Sequence, residues 1–444
     1  MPLDQSFSAE NFQLIYDAKN RRGFNFEEVF FPELKPLTNE IRRKREAIRA
    51  LRKNPTLSSG EKLAEGNRLK VEIKDQQTNK QRILDSHLSN IETVIAGSSF
   101  SLNLERKIGP QNKNVMTTGE CAASFFAVNL IQRNLRKIYK IKQADRHHIV
   151  RCIKQMLSNG FPLTIVRTDI SSFYESINCA VLLKRLDEDQ LLSLKSRQLI
   201  RKLLNACVRH DPSATGLPRG VGVSAYLAEL YMRPIDEEIK SLPGIVFYGR
   251  FVDDICIIAS DPIYGSTINY EDKLQSIVSN YSLTLNPNKT DTYKNTNNCN
   301  MDYLGYEFQI SAQDCKLELS QRKIAKYQKR IDRAFDEYNF SNSKSKKEAR
   351  LLIQRINFLT SNTRLANNKS VAKTGVFFNN SEATETGKLR GLDGFLTHKI
   401  NSLQSPWLKN KLGQNSFERG FKEKAFTNFT THQLGKIVKA WEYE

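Results

Sequence analysis

The sequence predicts an α+β protein, with a mostly antiparallel sheet covered by helices on one side, a charged helical stretch before it and a basic helical region after it. Three observations carry this reading. Between about residues 99 and 310, short β-like runs alternate with helical ones in the order strand, helices, hairpin, helix, strand, hairpin. Residues 38–95 read as helical and highly charged, with breaks near Asn54-Pro55 and Ser58-Ser59-Gly60. Residues 321–360 read as a basic helical pair that breaks at Ser341-Asn342-Ser343.

The first 37 residues carry Phe7, Phe12, Tyr16, Phe24, Phe26, Phe30 and Phe31, which predicts packing rather than a free tail. Within the charged stretch, Arg42, Arg43, Lys44, Arg45, Arg49, Arg52 and Lys53 stand against one acid, Glu46. A solvated helix face and an RNA-backbone contact are both open for this run. Strands are predicted at 163–170, 245–251, 255–259, 283–285 and 303–310. Helices are predicted at 120–140, 145–158, 194–208, 224–240 and 271–281. In the last, Leu274, Ile277, Val278 and Tyr281 fall on one buried face. Residues 361–444 are the least legible, with Asn/Thr-rich turns at 366–388.

The chain has 444 residues, a prior of roughly three domains. Its 39% hydrophobic and 26% charged residues exclude a membrane bundle or a collagen-like chain. Lys and Arg total 68 against 48 acids, a formal charge of +20 that favours a polyanionic partner. No stretch approaches the ~20 apolar residues of a membrane span. The N-terminus lacks the layout of a signal peptide. Seven scattered cysteines, without a CxxC pair or an HExxH, indicate neither a zinc site nor a disulfide framework. A reduced, cytoplasmic protein is expected. His147 and His148 precede a helical core face and read as structural or solvent-facing.

The strongest chemical signal is Phe251-Val252-Asp253-Asp254 between the apolar runs Ile245–Tyr248 and Ile255–Ala259. It sets two adjacent carboxylates at a hairpin turn. Burying ionised carboxylates without partners costs several kcal/mol each, and a divalent metal offsets that cost. An exposed Asp-Asp turn is the plain alternative. Asp169 ends the strand-like run Leu163–Ile170, and Ser172 with Glu175 has capping-box spacing for a following helix. Gly216-Leu217-Pro218-Arg219-Gly220-Val221-Gly222-Val223-Ser224 forms a constrained loop before a helix that Ser224 can cap. Its N–H groups suit a phosphate or a nucleobase edge. Leu283–Thr290 is a strand, a tight turn and Lys289, and Tyr303-Leu304-Gly305-Tyr306 opens a further hairpin.

The order of these pieces resembles the palm of a reverse transcriptase over roughly residues 99–310. Asp169 with Phe173 and Tyr174 resembles its first motif, and Leu217–Gly220 with Ser224 the second. Phe251–Asp254 resembles the third, Asn286–Thr290 the fourth and Leu304-Gly305 the fifth. The runs Thr168–Ile177 and Ser224–Leu230 resemble the bacterial defence-associated and abortive-infection reverse transcriptases. Asp4–Ser8 and the chain's size resemble the smaller enzyme of a two-polymerase antiphage system.

That resemblance implies a right-hand polymerase: a helical N-terminal extension at 1–98, fingers at 99–162 with 178–215, a palm at 163–310 and a helical thumb and C-terminal region at 311–444. It implies two Mg²⁺ ions held by Asp169, Asp253, Asp254 and the Ile170 carbonyl, with dNTP substrates. Lys289 resembles the lysine that protonates the leaving pyrophosphate. Tyr174 resembles the bulky gate that rejects a 2′-hydroxyl, so DNA is the implied product. Phe173, Arg219, Gly220, Arg106, Lys107 and Lys113 are the implied nucleotide contacts. Arg322, Lys323, Lys326, Lys329 and Arg330 are the implied grip on template–primer. Arg219 and Ala225 depart from the Gln and Pro usual in the family, which puts substrate choice and template use in question.

The implied partners are an RNA template, in particular a dedicated non-coding RNA in phage defence, and a second polymerase or a homo-oligomer, with no membrane. Two rivals stand beside this reading. One is template-independent or protein-primed addition by the same palm, and the other a catalytically idle RNA-binding scaffold. An RNA-dependent RNA polymerase is a further rival, which the Tyr174 gate weighs against.

Overall fold

A computed structural model describes residues 3–109, 114–210, 215–260, 268–341, 345–365 and 372–441. In chain order the elements begin with helices α1 (Ala9–Arg21), α2 (Phe26–Val29), α3 (Leu34–Lys53) and α4 (Ser59–Ala96). Strands β1 (Glu105–Ile108) and β2 (Asn114–Thr117) follow, then α5 (Ala122–Ile138), α6 (Arg146–Leu157), β3 (Thr164–Asp169), α7 (Phe173–Ser176), α8 (Cys179–Asp189), α9 (Leu194–His210) and α10 (Gly222–Lys240). Next come β4 (Ile245–Phe251), β5 (Asp254–Ala259), α11 (Tyr270–Asn280), β6 (Asp291–Lys294), β7 (Cys299–Tyr303), β8 (Tyr306–Ile310) and β9 (Cys315–Leu319). The chain ends with α12 (Gln321–Asn339), α13 (Lys346–Thr360), β10 (Asn362–Arg364), β11 (Lys373–Gly375), α14 (Gly387–Asn401), α15 (Pro406–Leu412), α16 (Phe417–Lys422) and α17 (Thr431–Lys439). Contacts divide the chain into one unit of residues 1–108, 114–141 and 179–227, and a second of 109–113, 142–178 and 228–444. Among the described residues no helix is long and apolar enough to cross a membrane.

In the first unit the break foreseen at Asn54-Pro55 separates α3 from α4. Asn54 closes α3 in extended conformation, which the following proline favours. Ser58 and Glu61 then form a reciprocal capping box that starts α4. The N-terminal aromatics pack on α5. Phe12 lies 5.6 Å from Phe126 between ring centroids, Phe24 lies 5.0 Å from Phe125, and Phe26 touches both. Phe12 and Phe26 are almost wholly buried. The arginines of α3 face solvent, and Lys44 pairs with Glu40 and Glu72.

The second unit contains a four-stranded sheet in the order β4-β5-β3-β6, antiparallel throughout, and a three-stranded sheet β7-β8-β9. Every residue from Ile255 to Ala259 is fully buried. A sheet with one face in water would expose alternate residues, so β5 is covered on both faces, not on the one side expected. Ile149, Val150, Ile153 and Leu157 of α6 join Ile165, Cys256, Met301, Tyr303, Phe308 and Leu317 in one core. A second core gathers α12, α13, α14 and the helices after them, around Ile331, Phe335, Leu352, Ile356, Leu392 and Phe417.

Two strand expectations are corrected. Residues 283–285 form only a bridge between Leu285 and Ile170, and the fourth strand of the sheet is 291–294. The run 303–310 is not one strand. Leu304 and Gly305 both have positive φ, 48° and 78°, and make the two-residue turn between β7 and β8. The break between α12 and α13 falls where foreseen, although Asn342 and Ser343 lie outside the described residues.

Phe26→Ala opens a cavity in the aromatic cluster and is expected to cost about 3–5 kcal/mol in urea unfolding followed by near-ultraviolet circular dichroism. Val29→Ala, at a position 41% exposed, serves as the comparison and should leave the midpoint in place.

Candidate active site

Strand β3 runs antiparallel to β5 with Asp169 directly across from Asp254. The backbone continues that pairing past the strand end, since Ile170 N–H donates to the Asp253 carbonyl at 3.2 Å. Asp253 sits in the two-residue turn of the β4–β5 hairpin, after Val252. Val252 has φ +61°, a left-handed value that a β-branched residue adopts only under strain. The three aspartates, distant in sequence, are thereby gathered at one end of the sheet.

The turn is held by Arg250, which is 9% exposed. Its guanidinium donates to both carboxylate oxygens of Glu229 at 3.1 and 2.8 Å, to both of Asp236 at 2.8 Å, and to the Val252 carbonyl at 2.8 Å. Tyr248 adds a hydrogen bond of 2.6 Å to Asp236. Two carboxylates per guanidinium leave this buried group acidic overall, with its donors fully used. Sequence reading missed Arg250, Glu229 and Asp236. The available signal was a charged residue inside the otherwise apolar β4.

Asp169 is 6% exposed. Lys289 donates to its Oδ2 at 2.6 Å and the Asn286 side-chain amide to its Oδ1 at 3.1 Å. Asn286 N–H also donates to the Asp169 carbonyl at 2.8 Å. The Asn286 side chain accepts from Asn288 N–H and so caps the short turn Pro287–Lys289 that delivers the lysine. In the sequence Asn286 is only the start of a motif, and the structure gives it direct contact with Asp169. Thr168 and Thr290 exchange a hydroxyl hydrogen bond of 2.7 Å beside them.

Burial, then the charges of Asp253 and Asp169, push the Asp254 carboxyl up to about 6. Among the described residues no group of three or more His, Cys, Asp or Glu side chains closes into a metal cage. Mg²⁺ does not require one, because it binds through one or two carboxylates and completes its shell with water and substrate phosphate. The mutual repulsion that raises Asp254 is relieved by a divalent cation, so the donor set fits Mg²⁺.

Phe173 is buried and Tyr174 half-buried, with ring centroids 5.4 Å apart on α7. The capping box expected at Ser172 is absent: Ser172 is left-handed at φ 45° and makes no side-chain cap. In the first unit, the Arg219 carbonyl accepts from Met116 N–H at 2.7 Å, which pins the glycine loop to β2. Gly220 has φ +87°, and a Cβ there would lie 2.7 Å from the Met116 carbonyl oxygen. Arg106 pairs with Met116 across β1–β2 and Lys107 with Val115, so these residues share one region with Arg219 and Gly220. Ser224 does not cap α10, because it lies inside the first turn and donates to the Pro218 carbonyl at 2.6 Å. Lys113 lies outside the described residues.

On α12, Arg322, Lys326 and Lys329 are exposed. Lys323 instead lies 4.7 Å from the Tyr306 ring and donates to the Asn379 carbonyl at 3.1 Å. Burial, with Arg146 nearby, lowers its ammonium to about 7. Arg330 stacks over Trp441. His147 bonds Ser381, consistent with a structural histidine.

Residues 114–308 match the family model "Reverse transcriptase (RNA-dependent DNA polymerase)", so this stretch is a reverse transcriptase domain with the corresponding polymerase fold. No curated protein matches the sequence. Among solved structures, the apo telomerase from Candida tropicalis is similar with a TM-score of 0.37 and 11% identity, over 78% of this chain and 66% of that one. The telomerase from Candida albicans in complex with the TWJ fragment of telomeric RNA gives 0.30 and 14%, over 70% and 53%. A form of the C. tropicalis apo telomerase truncated from its C-terminal domain gives 0.30 and 17%, over 43% and 44%. The chain thus spans between 44% and 66% of the length of these three chains.

Two outcomes follow from the geometry. Arg250→Met leaves the half-buried Glu229 and Asp236 without their buried cation, with an expected loss of about 3 kcal/mol in urea unfolding. Arg250→Lys recovers only part of that, since an ammonium cannot fork between two carboxylates. Asp254 holds its proton more tightly when folded than at its ordinary value of 3.8. In chelator its contribution to stability therefore falls as pH rises from about 4 to 6 and stays low above that. Asp254→Asn is expected to melt a few degrees above wild type at about pH 7.5 and level with it near pH 4. Equal melting at both pH values would show that the carboxylate carries no such penalty.

Proposed function

We propose that the chain is an RNA-directed DNA polymerase, a nucleotidyltransferase that extends a 3′-hydroxyl with dNTPs along an RNA template. The observation that carries this reading is the pairing of Asp169 with Asp254, with Asp253 in the adjoining turn, inside the reverse transcriptase domain. In this reading the domain is the core of a right-hand polymerase. An N-terminal extension at 1–98 and fingers at 99–162 (with 178–215) accompany the palm at 163–310, and the helical thumb and C-terminal region at 311–444 follows it.

Asp169, Asp253, Asp254 and the Ile170 carbonyl would hold two Mg²⁺ ions, which supply Lewis-acid stabilisation of the attacking and leaving oxygens. Asn286 and Lys289 fix the rotamer of Asp169 before substrate arrives. Lys289 presents an ammonium at the same place, positioned to give its proton to the leaving pyrophosphate oxygen. Arg250 holds the Val252-Asp253 turn in its strained conformation and so sets where the Asp253 carboxylate points. Tyr174, packed against buried Phe173, would stand under the sugar and exclude a 2′-hydroxyl.

Arg106 and Lys107 on β1, with Arg219 and Gly220 on the loop anchored to β2, would take the triphosphate and the templating pair, and Lys113, outside the described residues, belongs to the same proposal by motif resemblance. Of the α12 cations, Arg322, Lys326 and Lys329 are exposed for template–primer contact. Lys323 and Arg330 would support that helix through Tyr306 and Trp441. The dedicated non-coding RNA template, a second polymerase or homo-oligomer, a cytoplasmic location and the phage-defence setting belong to the same proposal, supported by motif resemblance.

The test is labelled-dNTP incorporation on a primed RNA in Mg²⁺, comparing wild type with Asp253→Asn. Loss of roughly a hundredfold or more in the variant is expected, with product sequence complementary to the RNA. Undiminished incorporation by the variant, or product whose sequence ignores the template, removes the proposal.

A further inference from the structure

Helices α1 and α5 face each other within the first unit, and each lines their shared cavity with one face. Leu14, Ile15, Ala18 and Lys19 on α1, with Arg22 at its C-terminal cap, are spaced as a single helical stripe. Asn129, Gln132, Arg133 and Arg136 on α5 follow the i, i+3, i+4, i+7 pattern of one face. Four cations therefore meet around a single cavity, and no carboxylate lines it.

Of the neighbouring acids only Asp4 acts on the group, through its charge on Arg133 and without an ion pair. Asp17, on the same helix, lines a different cavity together with Glu46 and the α3 arginines. Arg133 donates to the Asp4 main-chain carbonyl at 3.4 Å, while the Asp4 carboxylate is taken by Ser6 and Asn11. Lys19, Arg22, Arg133 and Arg136 form no salt bridge among the described residues. Lys19 is partly buried, with its ammonium 5.8 Å from the Phe125 ring. Burial and the adjacent Arg22 lower its affinity for a proton, the mark of a cation lacking a partner.

The size and the remaining lining select among anions. The cavity measures about 180 Å³, below the ~300–1,000 Å³ that encloses a whole small molecule. It suits one part of a longer ligand, such as a backbone phosphate with its sugar. Leu14 is 52% exposed, and Tyr226 is half-buried at the same cavity. Together they offer an apolar surface and a ring to an unstacked base, which a duplex does not present. Asn129 and Gln132 add neutral donors and acceptors of the kind that meet sugar and base edges.

We propose that the α1–α5 cavity is a docking site for single-stranded nucleic acid, in which Lys19, Arg22, Arg133 and Arg136 hold one or two backbone phosphates. It is built entirely from the first unit and shares no residue with the carboxylate site of β3 and β5. It is independent of the polymerase reading, because an inactive Asp253→Asn protein retains it.

The probe is a fluorescein-labelled oligo(U) RNA of about 15 nucleotides, titrated by fluorescence anisotropy across a series of KCl concentrations. Arg22→Ala/Arg136→Ala removes two exposed cations. It is expected to weaken binding about tenfold at low salt and to flatten the slope of log K against log salt by about 1.4, since each single-strand contact contributes ~0.7. Lys74→Ala/Arg82→Ala removes the same charge from the exposed face of α4 and is expected to leave the slope within about 0.3 of wild type. Arg136→Gln alone should give half the effect and keeps the test available if the double variant melts early. Equal slopes for wild type and the cavity variant, or an equal loss in the α4 control, overturn the proposal. Blunt duplex DNA of the same length is the second probe, and a slope loss there as large as with oligo(U) overturns the single-strand assignment.

Discussion

Antiparallel pairing of β3 with β5 sets Asp169 and Asp254 across one rung of the ladder, with Asp253 one residue further on. Like charges opposed on neighbouring strands repel, and burial strengthens the repulsion. Much of the local structure answers this one constraint. Asp169 is balanced by the ammonium of Lys289 and the amide of Asn286. The Asp254 carboxylate has no such hydrogen-bond donor among the described residues, and it is instead driven toward the protonated form, up to about 6. The two carboxylates thus differ in what holds them although they occupy one ladder position.

The repulsion also has a geometric consequence. A turn carrying a strained valine and an aspartate beside two other carboxylates has little reason to keep its shape unaided. Arg250 supplies the reason, binding the Val252 carbonyl while its remaining donors are occupied by Glu229 and Asp236. Glu229 and Asp236 lie on α10 and Arg250 on β4, so the salt-bridge network ties the helix to the hairpin. Substituting one member changes both the packing of the helix and the direction of the turn. Separating the two effects requires the conservative lysine, which keeps the charge but loses the fork.

The parts of this arrangement that were legible in the sequence are those where polarity breaks a local pattern. Asp253-Asp254 between two apolar runs, Asp169 at a strand end and the glycine loop before α10 all stand out for that reason, and their order carried the resemblance. The parts that were not legible depend on partners remote in the chain. Strand β6 has the unremarkable sequence Asp-Thr-Tyr-Lys and becomes a strand because it pairs with the edge of β3. Residues 283–285 look more β-like and form only a bridge, since Tyr231 caps the Tyr281 carbonyl and Leu283 N–H turns back to Val278 at the end of α11. Ser172 had the spacing of a cap, yet the chain must turn sharply after Asp169, and it takes a left-handed residue there instead. Lys323 counted as one more basic residue in a basic helix until packing placed it on Tyr306.

The distribution of positive charge follows the same logic. The densest run in the sequence, 42–53, is spread around α3, faces solvent, and shares its cavity with Asp17 and Glu46. Charge that is concentrated along the chain is therefore diluted in space. The reverse holds for α1 and α5, where Lys19, Arg22, Arg133 and Arg136 are sparse in sequence but are brought to one cavity by the aromatic packing of the N-terminal segment on α5. What decides the field at a surface is which helical faces meet and whether a carboxylate is among them. By that measure the acid-free cavity has the stronger claim to a phosphate, and the aromatic cluster that looked like mere packing is what creates it.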